Sequence, residues 1–238
     1  MKIIAIIGSS GAIGNGFLEN LLAQNDVAKI YSFSRQNLNH QDARIINATI
    51  DLEDESTIAN AAKIIEESGD KIDGVIVASG VLHNAEFGAE KSLRELAMTK
   101  MHKIFAINCF GPALVLKYFL PLLTRDHRSI FAILSARVAS ISDNKLGGWH
   151  SYRASKAALN MLIKNAAIEH NRKSKESIIV ALHPGTVDSK LSKPFQAGIN
   201  HEIFTPKIAT KKMLNVLEAL SSKDSGKFFD YEGVEILP

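Results

Sequence analysis

The stretch MKIIAIIGSSGAIGNGFLENLL, residues 1–22, decides the fold. Lys2 to Ile7 is a short, β-branched apolar run of the kind that forms a buried strand. Gly8-Ser9-Ser10-Gly11-Ala12-Ile13-Gly14 follows, and apolar residues then return at helical spacing through Phe17, Leu18, Leu21 and Leu22. That order gives the glycines a purpose. The turn can be tight, the backbone can approach a pyrophosphate, and the helix amino terminus faces the anion. Turns attract glycine anyway, so such a turn alone says little. After a first strand and before an amphipathic helix, it points to a dinucleotide.

The remaining chain repeats the alternation. A second strand runs from Lys29 to Ser34, a third from Ala43 to Ile50, and a helical pattern follows through Ile58, Ala61, Ala62 and Ile65, closed by Ser68-Gly69-Asp70. A fourth strand, Gly74–Ala78, ends in Ser79-Gly80. Leu93–Leu123 reads as one or two helices, with Gly111-Pro112 marking a kink or a new start. A fifth strand, Ser129–Leu134, ends in Ser135, and the loop Ala136–His150 leads to a helix reaching about His170. A sixth strand, Ser177–Leu182, precedes His183-Pro184-Gly185-Thr186; a helix over Pro206–Leu220 and a short strand at Lys227–Phe229 complete the pattern. The expected fold is α/β, a Rossmann-type doubly wound parallel sheet of about seven strands with helices on both faces, in one domain spanning 1–238.

Size and composition agree. With 46% hydrophobic and 22% charged residues, the chain resembles an ordinary soluble globular protein. The net charge of +3 is spread out, and no basic stripe interleaved with aromatics suggests a nucleic-acid partner. Cys109 is the single cysteine, which excludes an internal disulfide framework and a Cys-based zinc site. The apolar run at the amino terminus is too short for a signal-peptide core, and no stretch is read as a membrane span, so a cytoplasmic location is expected. His83 and His150 have no ligand-like spacing, and no metal is assigned.

Ser34 lies 20 residues beyond Gly14, where an NAD-preferring fold places an acidic residue on the adenosine ribose. A neutral hydroxyl followed by the Arg35 guanidinium suits a 2′-phosphate instead, so NADP(H) is favoured over NAD(H). Arg35 as a plain surface turn residue is the competing reading. Further on, GGWHSYRASKAALNM, residues 147–161, sets Tyr152 and Lys156 one helical turn apart. A phenol beside an ammonium is expected to have its pKa lowered toward working pH, where it can exchange a proton with a substrate. By itself, this spacing is common on solvated helix faces. The Gly-rich turn, the upstream serine and the downstream Pro-Gly lift it. Asn108, polar within an apolar run, needs buried partners.

As an ordered set covering nearly the whole chain, these pieces resemble the short-chain dehydrogenase/reductase family in its single-domain branch. SARVASISDNKLGGWHSYRASKAALNM is similar to C-factor-like and insect carbonyl-reductase-like members. The resemblance implies hydride transfer between nicotinamide and a small carbonyl or alcohol substrate, with Tyr152 as general acid. It implies that Lys156 holds the nicotinamide ribose and lowers the Tyr pKa, that Asn108 holds a helix irregularity and a relay water, and that Ser135 bonds the substrate oxygen. Gly8, Ser10, Gly11, Ile13 and Gly14 would surround the pyrophosphate, Ser34 and Arg35 the adenosine ribose end, and Asp51 and Leu52 the adenine. Ser79 and Gly80 would line the cofactor crevice, and Pro184, Gly185 and Thr186 the nicotinamide carboxamide.

The sequence departs from the family pattern in three places. The glycines fall at 8, 11 and 14, a spacing commoner in the extended branch, whose further substrate domain this chain lacks; an epimerase reading therefore fails on length. Val77-Ala78-Ser79-Gly80 replaces the usual Asn-Asn-Ala-Gly. Ser135-Ala136 stands for a pair of serines whose second member is normally catalytic, which leaves Ser135 and Ser140 as alternatives. The segments Val81–Phe87, Ala136–His150 and Leu191–Ile203 are expected to bound the substrate, with Leu82, Trp149, Phe195 and Phe204 hinting at an apolar or aromatic carbonyl compound. The helices of Ile104–Leu123 could pair subunits into a homodimer or homotetramer. A protein that binds cofactor but signals rather than catalyses is the alternative function.

Overall fold

The computed structural model describes residues 1–36, 38–198 and 200–238. One sheet of seven strands runs in the order β3-β2-β1-β4-β5-β6-β7, with every pairing parallel. The strands are β1 (Lys2–Ile7), β2 (Val27–Ser34), β3 (Ile45–Thr49), β4 (Gly74–Val77), β5 (Ser129–Leu134), β6 (Ser177–His183) and β7 (Phe228–Asp230). Six α-helices accompany them: α1 (Ala12–Leu22), α2 (Glu55–Ser68), α3 (Met98–Phe105), α4 (Gly111–Phe119), α5 (His150–His170) and α6 (Pro206–Ala219). The strand order reverses between β1 and β4, and the crevice outside that reversal is where doubly wound sheets bind ligands.

The two-residue period of the strands divides the core. Ala5 and Ile7 of β1 join Ile133 of β5 and Ile179 of β6 beneath Ile58, Phe119, Leu159 and Ile163 from α2, α4 and α5. Ile4, Ile6, Ala132 and Val180 face the other way, onto Phe17, Leu18 and Leu21 of α1 and Met213 and Leu217 of α6. The inner strands β1, β4, β5 and β6 are largely buried on both faces, which is why they read as continuous apolar runs.

Of the two readings of Gly111-Pro112, the new start holds: α4 begins at Gly111, with Pro112 in its first turn. Helical structure is continuous over Met98–Leu122, and the irregularity is a π turn at Ala106–Phe110, where the Gly111 N–H reaches back to the Ala106 carbonyl. Pro112 has no N–H for the ladder, and a widened turn just before it accommodates that gap. The same 25-residue run, with an 18-residue window of mean hydropathy 1.5, is also long and apolar enough to cross a membrane, contrary to the sequence reading. Here Ile104, Cys109, Val115, Leu116 and Phe119 are buried in the fold, which accounts for its composition.

Gly8 and Gly14 set how closely β1 and α1 can meet. A Cβ on Gly14 would stand 2.1 Å from the Gly8 carbonyl oxygen, and Gly8 itself sits at φ +89° against Ser79. Gly14→Ala is therefore expected to lower unfolding free energy by about 2 kcal/mol or more in denaturant titration. Gly88→Ala, where an added Cβ meets nothing within 4 Å, should stay within about 0.5 kcal/mol of wild type.

Candidate active site

The carboxyl ends of β4 and β5 and the start of α5 bring the expected catalytic side chains together. Lys156, 2% exposed, donates from Nζ to the Leu134 carbonyl at 2.8 Å, which ties α5 to the end of β5. That Nζ and the Asn108 Oδ1 each lie 3.5 Å from where a Cβ on Gly80 would stand, so the turn after β4 runs directly beside both groups. Asn108, in the π turn, accepts from the Val81 N–H at 2.8 Å and donates from Nδ2 to the Val81 carbonyl at 2.8 Å. Its amide also donates to Ser155 Oγ at 3.2 Å, and Ser155 in turn donates to the Tyr152 carbonyl. The Asn108 side chain thus joins the β4 loop to the catalytic helix.

Burial decides the protonation of the pair. Tyr152, 8% exposed, has its phenol pushed up to about 12 by burial, and Lys156 is brought down to about 8 by burial. This corrects the expectation that the ammonium lowers the phenol pKa. Burial is the cause of the phenol's shift, and the Lys156 ammonium is engaged by the Leu134 carbonyl.

The two candidate serines differ in occupation. Ser135 Oγ is buried and has no hydrogen-bond partner among the described residues. Ser140 Oγ accepts from the Asp143 N–H at 3.1 Å and meets Ser142 Oγ at 3.2 Å, so it serves its own turn. Beside Ser135, whose N–H donates to the Leu182 carbonyl across β5 and β6, stands His183. The His183 Nδ1 is also buried without a partner, and burial brings its pKa down to about 4, keeping the ring neutral.

At the other end of the crevice, the residues present fit a dinucleotide phosphate. The N-cap of α1 is Gly11 in extended conformation, with no side-chain cap and no acidic residue in the first turn. Its positive end is therefore available to an anion beside Ser10 and Ile13. Arg35 is exposed at the end of β2, whereas the Ser34 hydroxyl is buried and turned onto the Gln36 carbonyl. Asp51 Oδ1 accepts from the Glu53 N–H at 3.1 Å, and the Leu52 side chain belongs to the core under Gly111. Ser34 and Leu52 thus bring no free side chain to a ligand. Beyond β6, Pro184 and Gly185 precede Thr186, whose hydroxyl meets His201 Nε2 at 2.9 Å.

On the substrate side, Trp149 packs edge-on against Phe195 with centroids 4.9 Å apart and lies 6.3 Å from the Tyr152 ring. Phe195 in turn meets His83, whose Nε2 lies 2.9 Å from the Leu191 carbonyl. A cleft of about 370 Å³ opens beside them between Gly80, Val81, His83, Asn84, Lys190 and Leu191. Leu82 and Phe204 do not line it. They are 1% and 4% exposed, with Phe204 packed on Tyr231. The sequence reading passed over Glu90 and Ser151, which meet at the start of α5. Nothing in the stretch AEKSLRE distinguishes a buried glutamate from a solvated one.

The carboxyl edge of such a sheet is where dinucleotide-dependent oxidoreductases do their chemistry. The family model for short chain dehydrogenases matches residues 2–200, and the chain belongs to that family of oxidoreductases. It is 31% identical over 185 residues to a 1-hydroxy-2-glutathionyl-2-methyl-3-butene dehydrogenase of Rhodococcus sp. (strain AD45), covering 77% of this chain and 76% of that protein. It is 32% identical over 145 residues to the C-signal of Myxococcus xanthus, covering 61% and 82%. Among solved structures, an NADPH-bound carbonyl reductase from chicken fatty liver superposes over 100% of both chains with a TM-score of 0.83 at 25% identity.

Below pH 8 the folded protein holds a buried ammonium that the unfolded chain keeps in water. Lys156→Met should therefore be more stable than wild type at pH 7, by on the order of 1–3 kcal/mol. Because the folded pKa of about 8 lies below the ordinary lysine value of 10.5, the gap should shrink as pH rises between the two. Denaturant titrations at pH 7 and pH 10 check both the sign and the window.

Proposed function

We propose that the protein is an NADP(H)-dependent carbonyl reductase in which Tyr152 protonates the oxygen of a small carbonyl substrate. The observation that carries this is the buried, protonated phenol of Tyr152 one helical turn before Lys156, whose ammonium is bonded to the Leu134 carbonyl. When bound, the nicotinamide supplies hydride to the carbonyl carbon. The chain's own residues do the rest. Tyr152 donates the proton. Ser135, with its hydroxyl uncommitted, donates a hydrogen bond to the same oxygen and polarises it. Lys156 holds the nicotinamide ribose, and Asn108 keeps the β4 loop and α5 in register around it.

A phenol with a pKa of about 12 is an acid throughout the neutral range and a base almost nowhere in it. The Gly8–Gly14 turn and the open end of α1 hold the pyrophosphate, Arg35 the 2′-phosphate, Asp51 the adenine, and the Pro184–Thr186 turn the carboxamide. The NADPH-bound relative supports this choice of cofactor. The likeness to the C-signal keeps a signalling role in view, but a protein that only binds cofactor has no need of a positioned acid.

The test is NADPH oxidation against a panel of aldehydes, ketones and diketones, with NADH in parallel. NADPH should be preferred, and Arg35→Ala should remove most of that preference by raising KM for NADPH alone. Tyr152→Phe should lower kcat by about 10²–10⁴-fold. Cofactor binding without turnover in the wild type, on every substrate class, would overturn the reductase in favour of a binding protein.

A further inference from the structure

The helix that carries Tyr152 has an unusual entrance. Gly147, Gly148 and Trp149 all have positive φ, at 64°, 66° and 49°, and Trp149 is the one non-glycine with positive φ among the described residues. A bulky residue held there stores roughly 1 kcal/mol or more of strain, which persists only where surrounding contacts enforce it. Trp149 is also the N-cap of α5 and makes no side-chain cap, so the first turn, with Tyr152 on it, lacks an anchor of its own.

Glu90 supplies that anchor from a different part of the chain. It lies in the loop between β4 and α3, about sixty positions earlier, and is 0% exposed. Its backbone carbonyl accepts from the Trp149 N–H at 2.6 Å, and its carboxylate accepts from the Ser151 hydroxyl and, at 3.4 Å, from the Ser151 N–H. One residue thus grips both sides of the helix entrance, at the end where a carboxylate is favoured. The charge is balanced by Lys100, 12% exposed, with Nζ 3.4 Å from Oε1. Burial raises the Glu90 pKa, but the Ser151 hydrogen bonds and the Lys100 ammonium outweigh it and hold the group ionised, below the usual carboxylate range.

We propose that Glu90 is a positioning residue for the general acid: with Ser151 and the left-handed turn at Trp149, it sets where the first turn of α5 holds the Tyr152 phenol. This role rests on the reductase reading above. It extends that reading to a residue that touches neither substrate nor cofactor. A displacement of about 1 Å at a reacting group is enough to cost about 10²-fold in rate, and the first helical turn is where backbone restraint is weakest.

The test uses the full chain with NADPH and the best substrate of the panel. Glu90→Ala should lower kcat about 10–100-fold, leave the NADPH dissociation constant within about twofold, and leave the substrate KM nearly unchanged. Glu90→Gln keeps an accepting oxygen for Ser151 and should recover several-fold of the lost kcat. Glu90→Asp, one methylene short, should not. Trp149 is the chain's single tryptophan, so its acrylamide quenching in the cofactor-free protein reads the clamp without turnover, and it should rise in Glu90→Ala. Wild-type kcat in Glu90→Ala, or a parallel loss of kcat, NADPH affinity and melting temperature, would overturn the positioning role. If the wild type itself turns over nothing, the reductase reading falls. The clamp at the helix entrance is then decided by Trp149 quenching alone: an increase in Glu90→Ala supports it, and no change refutes it.

Discussion

The bond from the Lys156 ammonium to the Leu134 carbonyl fixes α5, the helix that carries Tyr152, to the central strand beside it. An ammonium with 2% exposure is costly to keep charged, and a single carbonyl compensates it only in part. The fold tolerates that cost because the strand ends around it are otherwise well satisfied. Asn108 closes both backbone groups of Val81, and Ser155 closes the Tyr152 carbonyl. Of the buried side-chain atoms without a partner among the described residues, Ser135 Oγ and His183 Nδ1 lie at the ends of β5 and β6, while His40 Nε2, Asn47 Oδ1, Asn160 Oδ1 and Asn171 Oδ1 lie elsewhere.

The sheet order explains how so few residues suffice. Parallel strands place every carboxyl end on one edge, so the loops after β1, β4, β5 and β6 meet although long stretches of sequence separate them. The Gly8–Gly14 contact lets α1 start close to β1 with its positive end toward the crevice. The π turn rotates Asn108 inward at the one point where α3 and α4 pass both the β4 loop and α5. On the far side, the rings of Trp149, Phe195 and His83 pack in series, with His83 on the cleft, and the Glu90 carbonyl accepts from the Trp149 N–H.

Much of this was legible beforehand. The apolar runs of β1, β4, β5 and β6 are short and β-branched because both sheet faces are covered, and their limits fell within a residue of the observed ends. β2 and β3 were less well bounded, since the edge strand β3 is only partly buried and its pattern fades. The Gly-rich turn, Tyr152, Lys156 and Asn108 stood out because their residue types are needed by backbone geometry or by proton transfer at fixed local spacing. Leu82 and Phe204 looked like pocket residues for want of any signal of which way a loop side chain turns.

The sequence by itself determined the alternation of strands and helices, hence the doubly wound class, and the placement of Tyr152 and Lys156 one helical turn apart. These follow from periodicity and from spacing within one helical turn, both of which are local. Only the tertiary structure decided that burial raises the Tyr152 pKa instead of the ammonium lowering it, that Ser135 and not Ser140 has an uncommitted hydroxyl, and that Glu90 holds the entrance of α5. Desolvation and hydrogen-bond occupancy depend on groups brought together from distant parts of the chain. No window of sequence contains both Glu90 and Ser151 in a relation that a local pattern could reveal.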